Sequence, residues 1–392
     1  MTTRQSFAVN QPTRFRFGNG SISQLAEVVR ECGGSKAFVV LDPGLKVTGL
    51  AEKITEPLKR DGISFMVFDQ VSQEPGLSLA DEALKQAREF GADCVIGAGG
   101  GSSMDVGKAV SILLTNGGKA EDYLGLGRIK KAGVPKIMVP TTAGTGAEVS
   151  FTAVFINEKT GSKGGMNGDP LYPEAAVLDP GLTLSLPPAV TAATGIDAFT
   201  HALEAFVSTQ AHPISDMYAI EALALISENL PQAYAHGGNL EARTNMLLGS
   251  LLAGKALATA GVGLVHAMSY PLGGMYHTPH GLANAVLLPY VVDYNIIGNP
   301  HKFAEIAAVM GYDTGSRPPI EAGRVAVEAV YSLNAEVGIP DNLTALGVEK
   351  EKIEEMAKIA LTVTRPVENN PRKPSLEDVM AIYRAAFCGC EQ

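Results

Sequence analysis

Asp197 and His201 stand four residues apart in TGIDAFTHALEAF (194–206), a segment that reads as helix. In a helix, residues i and i+4 lie one above the other on one face, so the carboxylate and the imidazole can converge on a point. Two further histidines, His266 and His280, follow in GLVHAMSYPLGGMYHTPHG (263–281). One carboxylate oxygen and three imidazole nitrogens form an N/O donor set suited to a divalent transition metal. A lone helical histidine is more often structural than a ligand, and the chain has seven histidines. The paired spacings D-x3-H and H-x13-H set these apart from His212, His236 and His301. A cation held this way keeps a net charge of about +1 and can act as a Lewis acid on an alcohol or carbonyl oxygen. Zinc usually takes this ligand number; Fe(II), Co, Ni and Mn also fit, and the spacing does not choose among them.

Two loops are suited to a nucleotide. GAGGGSSMDVGK (97–108) directly follows a strand and opens a helix. Its glycines let the backbone approach a phosphate, and the helix N-terminus offers free N–H groups and a positive dipole end. The segment matches neither G-x-G-x-x-G nor a P-loop, so a ligand-free glycine turn is the competing reading. VPTTAGTGAEVS (139–150) brings hydroxyls and backbone donors to the end of another strand, suited to a diphosphate or a nicotinamide ribose. Asp42 ends a strand in the same half. A carboxylate there can accept from an adenosine ribose and would repel a 2′-phosphate, favouring NAD; the ordinary role of Asp before Pro-Gly is to shape a turn.

These groups must be positioned by two kinds of element. Through residue 178, short apolar strands alternate with amphipathic helices: Phe15–Phe17, Lys36–Leu41, Ser64–Phe68, Cys94–Ile96 and Lys136–Val139, with Ser78 read as the cap of a helix running to Phe90. This alternation predicts a parallel sheet covered on both faces. Beyond Ser185-Leu186-Pro187-Pro188, read as a cap with Pro in a first helical turn, the patterns are long and helical. The expected fold class is an N-terminal α/β, Rossmann-like domain (1–183) followed by an all-helical, metal-binding domain (184–392).

Composition bounds the rest. The chain has 392 residues, 46% hydrophobic and 18% charged, with a net charge of −10. The acidic balance argues against a nucleic-acid surface. No apolar run reaches membrane-spanning length and the first residues lack a signal-peptide core. Cysteines 32, 94, 388 and 390 are too few and scattered for a disulfide scaffold, so a cytoplasmic protein with reduced thiols is expected.

Taken together, TGIDAFTHALEAF, GLVHAMSYPLGGMYHTPHG, GAGGGSSMDVGKA and VPTTAGTGAEVS resemble the iron-containing (group III) alcohol dehydrogenase family, which includes lactaldehyde reductases and 1,3-propanediol dehydrogenases. The similarity runs from RFRFGNG to NNPRKPSLEDVMAIYRAAF, nearly the whole chain. It implies metal ligation by Asp197, His201, His266 and His280, with Fe(II) the expected ion and Zn(II) an alternative. It implies NAD(H) contacts from Gly99, Gly100, Gly101 and Ser102 to the diphosphate and from Thr141, Thr142 and Thr145 to the nicotinamide half. Lys163 falls near the ribose, and Asp42 falls where members select NAD over NADP. The implied reaction is reversible hydride transfer between a small primary alcohol and NAD+, in a homodimer or larger assembly.

Three departures bear on the chemistry. Many members have a histidine where this chain has Tyr270, a poorer base with an unperturbed pKa of about 10. His277 replaces a frequent Asn and is the candidate to supply the missing titrating group. Leu257-Ala258-Thr259 replaces a frequent F-x-N, which reshapes the expected pocket. Competing functions are an ω-hydroxyacid dehydrogenase, an anionic-aldehyde reductase or a hydroxyacid-oxoacid transhydrogenase. Each needs a cation for the substrate's acid group, with Lys255 and Arg372 as candidates against the more ordinary roles of a solvated lysine and a structural arginine. A dehydroquinate-synthase-like lyase would need extra Lys and Arg contacts that the metal motifs lack, and a scaffold protein has no use for a metal set.

Overall fold

Strands that read as unbroken apolar runs belong in the middle of a parallel sheet, where both faces are covered. The computed structural model, which describes residues 6–389, follows that rule. The strands are β1 (Arg14–Phe17), β2 (Lys36–Leu41), β3 (Ser64–Phe68), β4 (Cys94–Gly99), β5 (Gly125–Leu126), β6 (Lys136–Pro140), β7 (Thr152–Asn157), β8 (Ser162–Asn167) and β9 (Ala175–Leu178). Six of them pair in the order β1-β9-β6-β4-β2-β3, all parallel. β4, β6 and β9 are buried throughout, whereas the edge strands β1 and β3 keep exposed positions.

Side chains alternate across each strand, giving the sheet two cores. Val39, Leu41, Ile96 and Val139 pack against α1 (Leu25–Glu31) and, beyond the short α2 (Gly44–Val47), against α3 (Leu50–Arg60). Phe38, Val40 and Val95 face the other way, toward α4 (Leu77–Phe90) and α5 (Gly101–Asn116). The expected strand at Cys94 continues to Gly99, which delivers the glycine loop to the carboxyl edge of the sheet.

The hairpin β7–β8, antiparallel from Thr152↔Asn167 to Asn157↔Ser162, was not legible in the sequence. It also corrects the role of Ser78. α4 begins one residue earlier, and the cap is remote: Glu158, just past β7, accepts from the Leu77 and Ser78 amides and from the Ser78 hydroxyl.

Among the described residues no strand follows β9. The chain continues as α6 (Pro188–Val207), α7 (Pro213–Ala235), α8 (Leu240–Ala260), α9 (Leu264–Tyr276), α10 (His280–Asn295), α11 (Pro300–Val309), α12 (Pro319–Glu336), α13 (Ile353–Leu361), α14 (Thr364–Asn369) and α15 (Leu376–Cys388). Pro188 sits at the first position of α6, where its missing N–H costs nothing; the cap is Pro187 rather than Ser185. α6 is central, buried continuously from Gly195 to Val207 and packed against α7, α8 and α10. Gly281 lets α10 approach closely: a Cβ there would lie 2.3 Å from the Ala193 carbonyl oxygen. No single described helix is long and apolar enough to cross a membrane.

Cys32, Cys94 and Cys388 are free thiols. Burial pushes the Cys94 thiol well above its usual range. Cys390 lies outside the described residues.

Candidate active site

Three helices bring the metal-type residues together. Asp197 and His201 stack one turn apart on α6, His266 lies in the first turn of α9, and His280 opens α10. The Nε2 atoms of His201 and His266 are each 3.9 Å from Asp197 Oδ1, and His280 Nε2 is 3.8 Å from it. Ligands bound at about 2.1 Å in a tetrahedron are about 3.4 Å apart, so each imidazole stands roughly half an ångström farther from Asp197 Oδ1 than bound spacing. Asp197, His201 and His266 are buried, and their ligand atoms lie within 4.8 Å of one another.

Electrostatics favour the same use. Burial alone would push the Asp197 carboxyl up, but His201, His280, His266 and the Asn284 amide together hold it below its usual value. Burial lowers His201, and lowers His280 well below the ordinary histidine range, with Asp197 opposing in both cases. The His201 and His280 rings are therefore neutral near pH 7 and offer lone pairs. A buried carboxylate among neutral imidazoles fits a divalent cation, which would supply the charge balance and a Lewis acid.

Two residues that the sequence reading missed complete this cluster. Glu204, buried on α6, accepts from His266 Nδ1 at 2.6 Å and from the Gly263 and Val265 amides at 2.8 and 2.6 Å. An N–H at Nδ1 leaves the His266 Nε2 lone pair turned to Asp197, the carboxylate–histidine arrangement common behind metal ligands. Asn284, one turn after His280, donates to Asp197 Oδ1 at 2.7 Å. The signals were present as D-x3-H-x2-E and H-x3-N, both of which keep the extra residue on the ligand face of its helix.

Tyr270 lies one turn after His266, with its ring centroid 6.3 Å from that of His280. Burial, helped by the Glu204 charge, raises its phenol further above 10. His277 ends α9 in the left-handed conformation (φ 53°) and is exposed.

The nucleotide-type loops face each other at the carboxyl edge of the sheet. Gly99 (φ 142°) turns the chain out of β4, and Gly100 precedes α5, whose first turn has no acidic residue and no side-chain cap. The amides and positive end of α5 are thus left for an anion. A Cβ on Gly101 would lie 2.8 Å from Thr145 Cγ2, and one on Gly100 would lie 3.8 Å from Thr142. Thr141 is buried and donates its amide to the Gly99 carbonyl. The threonine loop is in turn seated on the helices, because a Cβ on Gly146 would lie 2.4 Å from Gly254 Cα on α8. Ser102 is half-buried in the first turn of α5.

The remaining expected residues divide. Asp42 sits past the end of β2 and accepts from the Gly44 amide at 2.6 Å, so its turn role is present. Lys163 pairs with Glu74 at 2.8 Å, and its charge acts on His280. Lys255 is directed elsewhere, against Gln11 and the rings of Phe15 and Tyr218. Arg372 donates to the Tyr294 carbonyl, stacks on the Tyr294 ring and lies 3.8 Å from Asp378.

Comparison with known proteins accords with this geometry. Residues 12–180 match the model of the iron-containing alcohol dehydrogenases, and residues 191–387 match that of the Fe-containing alcohol dehydrogenase family, C-terminal. The chain belongs to the iron-containing alcohol dehydrogenase family. It is 42% identical over 382 residues to long-chain-alcohol dehydrogenase 1 of Geobacillus thermodenitrificans, covering 96% of each chain. It is also 42% identical over 373 residues to 1,3-propanediol dehydrogenase of Citrobacter freundii, covering 95% of this chain and 96% of that one. The crystal structure of a 1,3-propanediol oxidoreductase superposes with a TM-score of 0.95 at 40% identity, covering 98% of this chain and all of that one. The protein is an alcohol and aldehyde oxidoreductase of the metal-dependent, NAD-linked type.

Proposed function

We propose that the protein interconverts a small, neutral primary alcohol and its aldehyde with NAD(H), at a cation held by Asp197, His201, His266 and His280. The observation that carries this reading is the convergence of those donor atoms from α6, α9 and α10. When bound, the cation supplies a Lewis acid that lowers the alcohol's pKa and stabilises charge developing on oxygen. The chain's own residues do the rest. Gly99, Gly100, Gly101 and Ser102 receive the diphosphate at the start of α5. Thr141, Thr142 and Thr145 orient the nicotinamide half, Lys163 reaches its ribose, and Asp42 accepts from the adenosine ribose. His277, exposed at the end of α9, exchanges the alcohol proton with solvent, while Tyr270 is a hydrogen-bonding wall rather than a base.

A neutral substrate is favoured because Lys255 and Arg372 direct their charges to partners outside this cluster. The same reading divides the chain into a nucleotide domain (1–183) and a metal domain (184–392), in a cytoplasmic homodimer or larger assembly.

The test is NADH oxidation by Fe(II)- and Zn(II)-loaded protein against butanal, lactaldehyde, 3-hydroxypropanal, succinic semialdehyde and sulfoacetaldehyde. Metal-dependent turnover of the neutral aldehydes is expected. Turnover confined to the anionic pair would overturn the neutral-substrate reading. Product formed only when a hydroxyacid and an oxoacid are supplied together would identify a transhydrogenase.

A further inference from the structure

Among the described residues, two that are not glycine have a left-handed backbone: His277 and Glu74, the latter at φ 51°. A glutamate gains nothing locally from that conformation, which persists only where the surroundings enforce it. Here they do. The Pro75 carbonyl accepts from the Ile156 amide at 2.9 Å, Gly76 pairs with Ile156 of β7, and Glu158 holds the start of α4 just beyond. The pinned loop aims the Glu74 carboxylate at α9. Its Oε1 accepts from Lys163 Nζ at 2.8 Å, and the same oxygen lies 3.5 Å from where a Cβ on Gly273 would stand. His266, Tyr270 and Gly273 follow one another at helical spacing and share one face of α9. The carboxylate is therefore stationed two turns from His266, about 10 Å along the helix. Lys163, on β8, is close enough for its charge to act on His280. The pair is largely sheltered, with side-chain exposures of 14% for Lys163 and 22% for Glu74.

We propose that Glu74 sets the charge class of the substrate: by pairing with Lys163 it cancels the positive charge beside the donor cluster and turns away aldehydes that carry a carboxylate or sulfonate. Of the three cations weighed for an acid group, Lys255 and Arg372 point elsewhere, and Lys163 alone stands near His280. An aldehyde with its oxygen at the cluster extends its far end along α9, past Tyr270 and toward Gly273. Lys163 by itself would attract an acid group arriving there. Paired with Glu74 it offers no net charge, and the incoming anion meets a carboxylate of its own sign. Such a substrate gives up its hydration with nothing in return, and selectivity comes from what the site opposes. Lys163 keeps its remaining N–H groups for the nicotinamide ribose. This inference rests on the neutral-substrate reading above and names the residue that enforces it.

The test compares Fe(II)-loaded wild type, Glu74→Gln and Glu74→Gly in NADH oxidation with butanal and with succinic semialdehyde, four-carbon aldehydes that differ in the terminal acid group. Glutamine keeps the shape without the charge. Glycine adopts a positive φ without strain, so it answers the question if the glutamine variant does not fold. In both variants, kcat/KM for succinic semialdehyde relative to butanal should rise about tenfold. The gain should come through a lower KM for the anion and should shrink with added salt. The same shift should appear without turnover, as tighter calorimetric binding of the unreactive amide succinamate relative to butyramide in the presence of NADH. Adding Lys163→Met to Glu74→Gln should abolish the gain. An unchanged ratio in either folded variant, or a gain that survives Lys163→Met, would overturn the proposal. Wild type that already turns over only the anionic aldehyde would instead refute the neutral-substrate reading on which it rests.

Discussion

Glu204→Gln is the substitution that asks most of the site. Three N–H groups converge on this buried carboxylate: His266 Nδ1 and the Gly263 amide on Oε2, and the Val265 amide on Oε1. Glutamine has one acceptor oxygen and one donor NH2. With its oxygen on the His266 side, its NH2 must face the Val265 N–H, donor against donor. The opposite orientation would leave two donors facing NH2 instead of one. The smaller loss leaves one buried donor unsatisfied, a cost of about 1–3 kcal/mol. Loss of the negative charge behind His266 also makes its Nε2 a weaker ligand, and such changes typically cost about 10–100-fold in metal affinity. Two assays separate these effects: melting of the metal-free protein reports the first, and chelator competition reports the second. The expected result is a lower Tm and a weakened metal affinity, with the loss in turnover recovered in part at saturating metal. Unchanged affinity alongside a lowered Tm would refute the argument, because it would mean that Glu204 only supports the start of α9.

Four further substitutions have expected outcomes. Burial raises Glu148 to about 7 against its ordinary 4.5, opposed in part by Lys108. A raised folded value means that this group's contribution is full below pH 4.5 and is lost as pH rises through 7. Glu148→Gln should flatten that fall and gain on the order of 3 kcal/mol at pH 8, and a Tm–pH series parallel to wild type would contradict it. Asp42→Ala should raise turnover with NADPH relative to NADH, measured as a ratio of kcat/KM values; an unchanged ratio would leave Asp42 with its turn role alone. His277→Ala should change the pH dependence of turnover while metal content stays at the wild-type level, whereas Tyr270→Phe should leave the neutral-pH profile intact. An unaltered profile in the histidine variant would remove His277 from the proton path.

The sequence made the sheet legible wherever one strand carried a continuous apolar run. KAFVVL at 36–41 is apolar enough that no other placement than the middle of the sheet suits it, and β2 has those bounds. The hairpin β7–β8 was hidden because SKGGMN (162–167) has neither β-branched residues nor clean alternation, and its pairing is decided by tertiary contacts. Ser78 was misread for a related reason, since a local serine is visible in sequence whereas Glu158, eighty residues on, is not. At the site, the D-x3-H spacing announced itself because a helix converts four residues into one direction. Glu204 and Asn284 lay on those same faces but passed unremarked, since a lone Glu or Asn on a helix is ordinary until its burial and partners are known. Lys255 and Arg372 were candidates only for the rival acid-handling readings, set against a solvated lysine and a structural arginine; packing turns both toward aromatic rings, and Arg372 has the structural role.

In the function proposed above, turnover depends on a cation held by Asp197, His201, His266 and His280. Its most direct test is an anaerobic titration of metal-free protein with Fe(II), following the initial rate of NADH oxidation with 3-hydroxypropanal. No turnover is expected without metal, then a rise that breaks at one Fe(II) per chain, with Asp197→Ala flat throughout. Turnover in the metal-free protein, or an Asp197→Ala titration that superposes on wild type, would contradict it.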